Sequence, residues 1–227
     1  MKRVITVLLA VLLALSLAAC GSRVETKKLA GTWTCTIDVT DRMNAAAEQA
    51  LGLSAADGTA QMPLQLVLTV TEDGAYTLRY DSDAVRTALD AYAAALHPAA
   101  VESVYAAAEE QGLSREEYDA AMEKAGITMD DMVAAIFAGV DEEELLSLLT
   151  GRSAAITGYC RAESGQLYLA DTAAELAETA DCLSYTLSDG TMTWTDAQGE
   201  LSSQLTEQEQ ELLRVPLTWT KRAEESK

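Results

Sequence analysis

Two kinds of hydrophobic pattern occupy different parts of the chain. Over residues 29–81 and 152–222, apolar and polar residues alternate with the period of two that is typical of half-buried β-strands. The first strand segment places four apolar side chains on one face: Trp33, Cys35, Ile37 and Val39. Asp-Gly and Ser-Gly pairs separate several of these segments and favour tight hairpin turns. The pattern predicts about eight antiparallel strands.

Residues 82–151 have a different pattern, because they are rich in Ala and acidic residues and lack the alternation. Gly112, Gly126 and Gly139 each begin the same unit, in which Ser, Thr or Asp follows two residues later and an acid three residues after that. Glycine can adopt the left-handed conformation that ends a helix. The Ser, Thr or Asp and the acidic residue after it can then form a capping box at the start of the next helix. We therefore predict short helices of about ten residues, inserted between the third and fourth strands. A solenoid is the alternative, although known solenoid repeats are longer, about 20 to 50 residues.

Composition excludes two broad classes of protein. The chain of 227 residues is 49% hydrophobic, which is enough to bury a core and argues against general disorder. It carries 16 Lys+Arg against 36 Asp+Glu, so its formal net charge is −20. Because affinity for nucleic acids depends on neutralising phosphates with Lys and Arg, no nucleic-acid partner is expected.

The N-terminus has the layout of an export signal. Lys2 and Arg3 precede an apolar run that ends in small residues, so residues 1–19 are predicted to be a cleaved signal peptide. Leu17-Ala18-Ala19-Cys20 resembles the lipobox of bacterial lipoproteins. The resemblance implies a diacylglyceryl group (with fatty acids such as palmitate) on Cys20 and a lipid-anchored protein on the extracytoplasmic side of the cell membrane. Residues 20–28 would form the tether. An ordinary secretory signal is the alternative.

The strand pattern carries a second resemblance. Gly31-x-Trp33 in the first strand, together with a basic residue after Trp219 in the last, resembles the lipocalin-like, or calycin, β-barrels. The resemblance implies an α+β protein, in which the barrel of residues 29–81 and 152–222 carries a helical insertion over 82–151. Trp33 would close one end of the barrel, with Lys221 or Arg222 packed across it.

The same resemblance implies a binding role. Eight-stranded barrels can hold one small ligand, and the residues expected to line such a site are aromatic: Tyr76, Tyr80, Tyr185 and Trp194. The alternative for these aromatics is a filled core without a cavity. A different functional hypothesis is a cell-envelope interaction or inhibitor module that docks through the acidic helical insertion.

Residues for catalysis or metal binding are sparse. The single histidine, His97, precedes Pro98 and is interpreted as a turn-forming residue. The pairs of acidic residues fall mainly in the predicted first turns of helices, where the helix dipole favours negative charge. Cys35, Cys160 and Cys182 lack metal-ligand spacing. They are expected to be buried thiols, with one disulfide among any two of them as the alternative. We expect no catalytic residue, no metal, no cofactor and no enzymatic activity.

Overall fold

The computed structural model describes residues 25–53, 60–137, 147, 155–179, 182–198, 211 and 213–223. The predicted signal peptide, Cys20 and the third capping unit at Gly139 lie outside these residues. Eight strands are present in the described part of the chain: β1 Gly31–Asp38, β2 Pro63–Val70, β3 Ala75–Tyr80, β4 Ile156–Glu163, β5 Gln166–Ala170, β6 Cys182–Ser188, β7 Thr191–Gln198 and β8 Leu217–Lys221. The described residues include four α-helices: α1 Thr40–Leu51, α2 Ser82–Glu110, α3 Arg115–Ala125 and α4 Met129–Phe137.

The eight strands form a closed barrel in sequence order, in which β1 returns to β8. The strands pair in antiparallel fashion. Trp33 of β1 is paired with Lys221 of β8, and Tyr76 of β3 is paired with Gly158 of β4. This confirms the predicted fold class, an α+β protein with an antiparallel barrel and a helical insertion between the third and fourth strands.

Alternation of buried and exposed residues explains why the strands curl around a core. The side chains of Trp33 and Cys35 in β1 are buried, whereas Thr34 between them is partly exposed. The same alternation runs through β4, where Cys160 and Ala162 are buried on either side of Arg161. Burial of these apolar faces stabilises the barrel by about 25 cal/mol per Å² of apolar surface removed from water.

The two ends of the barrel differ in their connections. Successive antiparallel strands leave from opposite ends, so the β2–β3, β4–β5 and β6–β7 turns share one end. Those turns are short and use residues with positive φ: Gly74 at 89°, Ser164 at 53°, Gly165 at 77°, Asp189 at 46° and Gly190 at 76°. The β1–β2, β3–β4, β5–β6 and β7–β8 connections leave from the opposite ends of these strands. We call the end with the short turns the closed end.

The chain forms two compact units. The barrel unit comprises the described residues within Met1–Cys35, Leu66–Tyr80 and Ala154–Lys227. The helical unit comprises those within Thr36–Gln65 and Asp81–Ser153, so it includes the last residues of β1 and the first of β2.

The helical unit has a small core of its own. Leu53, Ala100 and Val133 are buried together, and the partly buried Val101, Met129 and Ile136 pack around them. The Tyr92 hydroxyl donates a hydrogen bond of 2.8 Å to Asn44 Oδ1, which joins α2 to α1. Two predicted capping units are confirmed here, since Ser114 and Glu117 form a capping box at α3, and Thr128 and Asp131 exchange the same hydrogen bonds at α4.

The expectation of uniformly short helices is wrong for α2, which runs for 29 residues through Pro98. Leu96 and Ala100 on either side of the proline are buried, so tertiary packing holds the helix together where proline alone would end it. His97 is therefore a helical residue and not the predicted turn former. Its Nε2 lies 3.1 Å from Asp130 Oδ1 of α4 in an exposed contact.

Candidate binding site

The closed end of the barrel is organised around Trp33. Its side chain is buried, and its Nε1–H donates a hydrogen bond of 2.8 Å to the carbonyl of Leu29. Lys221, its partner in β8, places Nζ 5.3 Å from the centroid of the indole ring. The second basic candidate, Arg222, is exposed and its backbone N–H donates to Thr32 O. Of the two basic candidates, Lys221 is therefore the one whose ammonium group is described over the Trp33 ring.

A short helical segment before β1, residues 25–29, packs at the same end. Thr26 Oγ1 accepts a hydrogen bond of 3.0 Å from the backbone N–H of Ala162, and the Glu25 carboxylate accepts one from Ser164. Thr26 is buried. The predicted tether, 20–28, is therefore helical and packed from Glu25 onward. This segment and Trp33 together cover the closed end.

The four aromatic residues proposed as ligand-binding positions lie in two groups. Tyr76 is buried in β3, and Tyr80, four residues further along the same strand face, is partly buried. Tyr185 in β6 and Trp194 in β7 are direct cross-strand partners. Alternation and register direct all four side chains to the inner face, with β4 and β5 separating the two groups in the sheet.

Gly158 in β4 provides the space for Tyr76. A Cβ atom at this position would lie 2.9 Å from Tyr76 Cε1 and 2.5 Å from the carbonyl oxygen of Ala170. Because real Cβ atoms do not approach other atoms so closely, the ring of Tyr76 occupies the volume that any larger residue at 158 would need. The inner wall here depends on a glycine and an aromatic ring in register.

Trp219 belongs to this inner wall, although the expected ligand-binding set omitted it. Its ring lies 4.8 Å from that of Trp194, centroid to centroid, at an interplanar angle of 47°. The side chain of Trp219 is fully buried and that of Trp194 is 7% exposed. Sequence alternation identified Trp219 as a strand residue, but its contact with Trp194 depends on the β7–β8 register.

Both of these indole N–H groups are buried without a hydrogen-bond acceptor in the described structure. A buried donor left unpaired costs about 1–3 kcal/mol, and most such groups in native proteins have a protein or water partner. Arg161 Nε is a third buried atom without a partner. It lies on the outer face, where the guanidinium stacks 4.5 Å from the ring centroid of Tyr168.

The inner face disfavours negative charge. Burial raises the pKa of the Cys160 thiol to about 12 and that of Cys35 to about 11. Burial also raises the pKa of Tyr185, and the negative charge of Glu25 adds to that effect. These groups are neutral at physiological pH, and one of them, Tyr185, is the cross-strand partner of Trp194.

Cys35, Cys160 and Cys182 are buried thiols and form no disulfide with one another. This matches the expectation of buried thiols and not the alternative disulfide. The thiol of Cys182 lies 3.2 Å from Gln166 Oε1, which links β6 to β5 on the outer face.

The acidic helices offer a second surface. No residue of α3 is buried, and two large apolar residues near its ends, Leu113 and Ile127, are 39% and 42% exposed. Both precede helix N-caps, a position from which an apolar side chain can pack back onto its own helix. Arg115 is held by Glu102 and Glu109, with its Nη2 2.8 Å from Glu102 Oε2.

The described residues contain no group of three or more His, Cys, Asp or Glu side chains that could hold a metal ion.

Within the part of the chain that the structure covers, no helix has the length and apolar character needed to cross a membrane.

Comparison of the chain with family models, with curated proteins and with solved structures gave no match.

Proposed function

We propose that this chain is a lipid-anchored, extracytoplasmic binding module whose barrel holds one small, mainly apolar molecule. The observation that carries the proposal is an aromatic and uncharged inner wall inside a closed eight-stranded barrel. A barrel of this size has an interior that side chains fill or that holds a single small ligand. Partial exposure of the inward-facing Tyr80 and Tyr185 favours the second arrangement.

The proposed anchor also gives the barrel an orientation. Cys20 of the lipobox-like sequence is five residues before Glu25, which is already packed at the closed end. An extended chain spans at most about 3.5 Å per residue, so these five residues reach roughly 17 Å. The closed end would therefore lie near the membrane and the other end would face the aqueous phase. The whole chain has a formal net charge of −20, and removal of Lys2 and Arg3 with the signal peptide makes it more negative, which would keep the domain off anionic headgroups.

A neutral fluorophore such as Nile red tests the binding role. We expect the complete mature chain carrying Cys20→Ser, which takes no lipid, to bind one equivalent saturably with increased fluorescence. Tyr80→Lys places a charge on the inner face and should weaken uptake at least tenfold, because an unpaired ammonium is costly in an apolar site. Thr77→Lys, on the outer face of the same strand, is the matched control. Its partner residues are Thr69 and Thr157.

Two results would contradict the proposed role. One is the absence of saturable uptake by a chain whose circular dichroism and thermal transition show a folded protein. The other is equal weakening by Tyr80→Lys and Thr77→Lys, since uptake would then depend on the outer surface or on stability and not on the interior.

The exposed pair Leu113 and Ile127 favours a second candidate function, docking of a basic envelope protein on the acidic helices. Cross-linking in envelope extracts at low and high salt tests it. The candidate predicts a salt-sensitive partner that is lost with Leu113→Ser and Ile127→Ser, whereas Thr87→Ser on α2 retains it. Failure to detect a partner at either salt concentration would contradict this candidate.

A further inference from the structure

We infer that the ligand of the barrel presents a neutral hydrogen-bond acceptor, such as an ester, ketone or amide carbonyl, to the indole N–H groups of Trp194 and Trp219. The inference rests on the proposed binding function and adds the chemical class of the ligand. It is carried by two buried donors that lie side by side on the inner wall and lack an acceptor in the described structure.

The third tryptophan shows that this barrel pairs an indole donor when the chain supplies an acceptor. Trp33 Nε1–H is directed to the carbonyl of Leu29 at 2.8 Å. Trp194 and Trp219 are comparably buried, at 7% and 0% exposed, and have no such bond. Buried donors are so rarely left unpaired that two neighbouring ones indicate a partner beyond the described residues, and we assign that role to the ligand.

Backbone carbonyls of the adjacent strands are poorly placed to serve these donors. β7 is paired with β6 on one side and β8 on the other, and β8 is paired with β1. In antiparallel sheets the N–H and C=O groups lie along the plane of the sheet and bond to neighbouring strands. An acceptor for an inward-directed indole therefore comes most directly from a molecule in the barrel.

The acceptor is neutral because the surroundings disfavour an anion. Of the described residues on the inner face, the one that carries a positive charge is Lys221, and its ammonium lies over Trp33 at the closed end. The wall near Trp194 consists of uncharged groups such as Tyr185 and Leu217. A carboxylate placed there would lose its hydration without gaining a counter-ion, whereas a carbonyl needs only the two donors.

Three probes of similar length test the ligand class on the complete mature chain: methyl laurate, the laurate anion and tetradecane. Affinities follow from displacement of Nile red at neutral pH. The inference predicts that methyl laurate binds at least fivefold more tightly than tetradecane, as expected for one added hydrogen bond, and also more tightly than laurate. Trp194→Phe should reduce this preference for the ester, because it removes one of the two indole donors. Tyr168→Phe on the outer face is the control.

The indole N–H resonances provide a measurement that needs no substitution. The chain has three tryptophans, so its ¹H–¹⁵N spectrum contains three indole signals. Methyl laurate should move the signals of Trp194 and Trp219 downfield and slow their exchange with solvent, and the signal of Trp33 should stay in place. Tetradecane should not produce this downfield shift.

The outcomes separate this inference from the function on which it rests. Equal affinity for tetradecane and methyl laurate, or an ester preference unchanged by Trp194→Phe, would overturn the proposed acceptor and leave the binding role intact. If laurate binds most tightly of the three probes, the inference that the acceptor is neutral is wrong. Indole signals already downfield and unmoved by methyl laurate would overturn the inference, because both donors would already have an acceptor without the ligand. Failure of all three probes to displace Nile red, with Nile red itself unbound, would remove the binding function.

Discussion

Lys221 Nζ lies 5.3 Å from the centre of the Trp33 ring, and the two residues face each other as partners across the strands that close the barrel. The lysine stem also passes over Gly31, where a Cβ atom would lie 2.7 Å from Lys221 Cε. Gly31 and Trp33 of β1 and Lys221 of β8 therefore pack together at the closed end.

Gly31→Ala should destabilise the folded protein by about 1–3 kcal/mol, measured by urea unfolding. The glycine has a φ of +128°, a region that residues with a Cβ atom rarely adopt, and the added methyl group also meets the lysine. The double variant with Lys221→Ala should recover only the steric part of the loss. Full recovery in the double variant would show that backbone conformation contributes nothing here.

Thr26→Val should cost about 1–3 kcal/mol of stability, because it leaves the buried N–H of Ala162 without an acceptor. The substitution keeps the shape of the side chain, so packing changes little. Thr26→Ser retains the hydroxyl and should lose less. Equal stabilities of the two variants would show that packing of the segment 25–29, and not this hydrogen bond, holds it on the barrel.

The capping boxes predict a dependence on pH. The Ser114 backbone N–H and hydroxyl hold the pKa of Glu117 below its ordinary range, and Thr128 does the same for Asp131. Because the folded pKa is lowered, these caps contribute fully above the unfolded pKa and lose their contribution as the pH falls through the folded value. Ser114→Ala should raise the pKa of Glu117, measured by carboxyl NMR titration, and leave that of Asp131 unchanged. An unchanged Glu117 titration would contradict the role of the cap.

Thiol chemistry tests the interior of the barrel. With pKa values raised to about 11 for Cys35 and about 12 for Cys160, both thiols should resist an aromatic disulfide reagent at pH 8 in the folded protein. Denaturant should make both react within seconds. Rapid reaction of Cys160 in the folded state would show that the inner wall opens to solvent.

The sequence predicted the barrel well because each strand carries its own signal. Alternation around Trp33 and the Asp-Gly turn before β3 need no information from distant residues. The sequence alone does not show whether Lys221 or Arg222 lies over the Trp33 ring, because this depends on the register between the first and last strands.

Long-range packing also accounts for what sequence patterns missed. Pro98 predicted a break, yet burial of Leu96 and Ala100 continues the helix through it and brings His97 near Asp130. The two indole N–H groups without acceptors are invisible in the sequence, because only the fold determines which buried donors find a partner.

Mass spectrometry of the protein extracted from the cells that make it tests the central claim most directly. Under denaturing conditions the account predicts a chain that begins at Cys20 and carries a covalent diacylglyceryl group. Under native conditions, after gentle release from detergent, it predicts one additional neutral molecule that dissociates on activation. An unprocessed chain without lipid, whose native and denatured masses agree, would contradict both the anchor and the bound ligand.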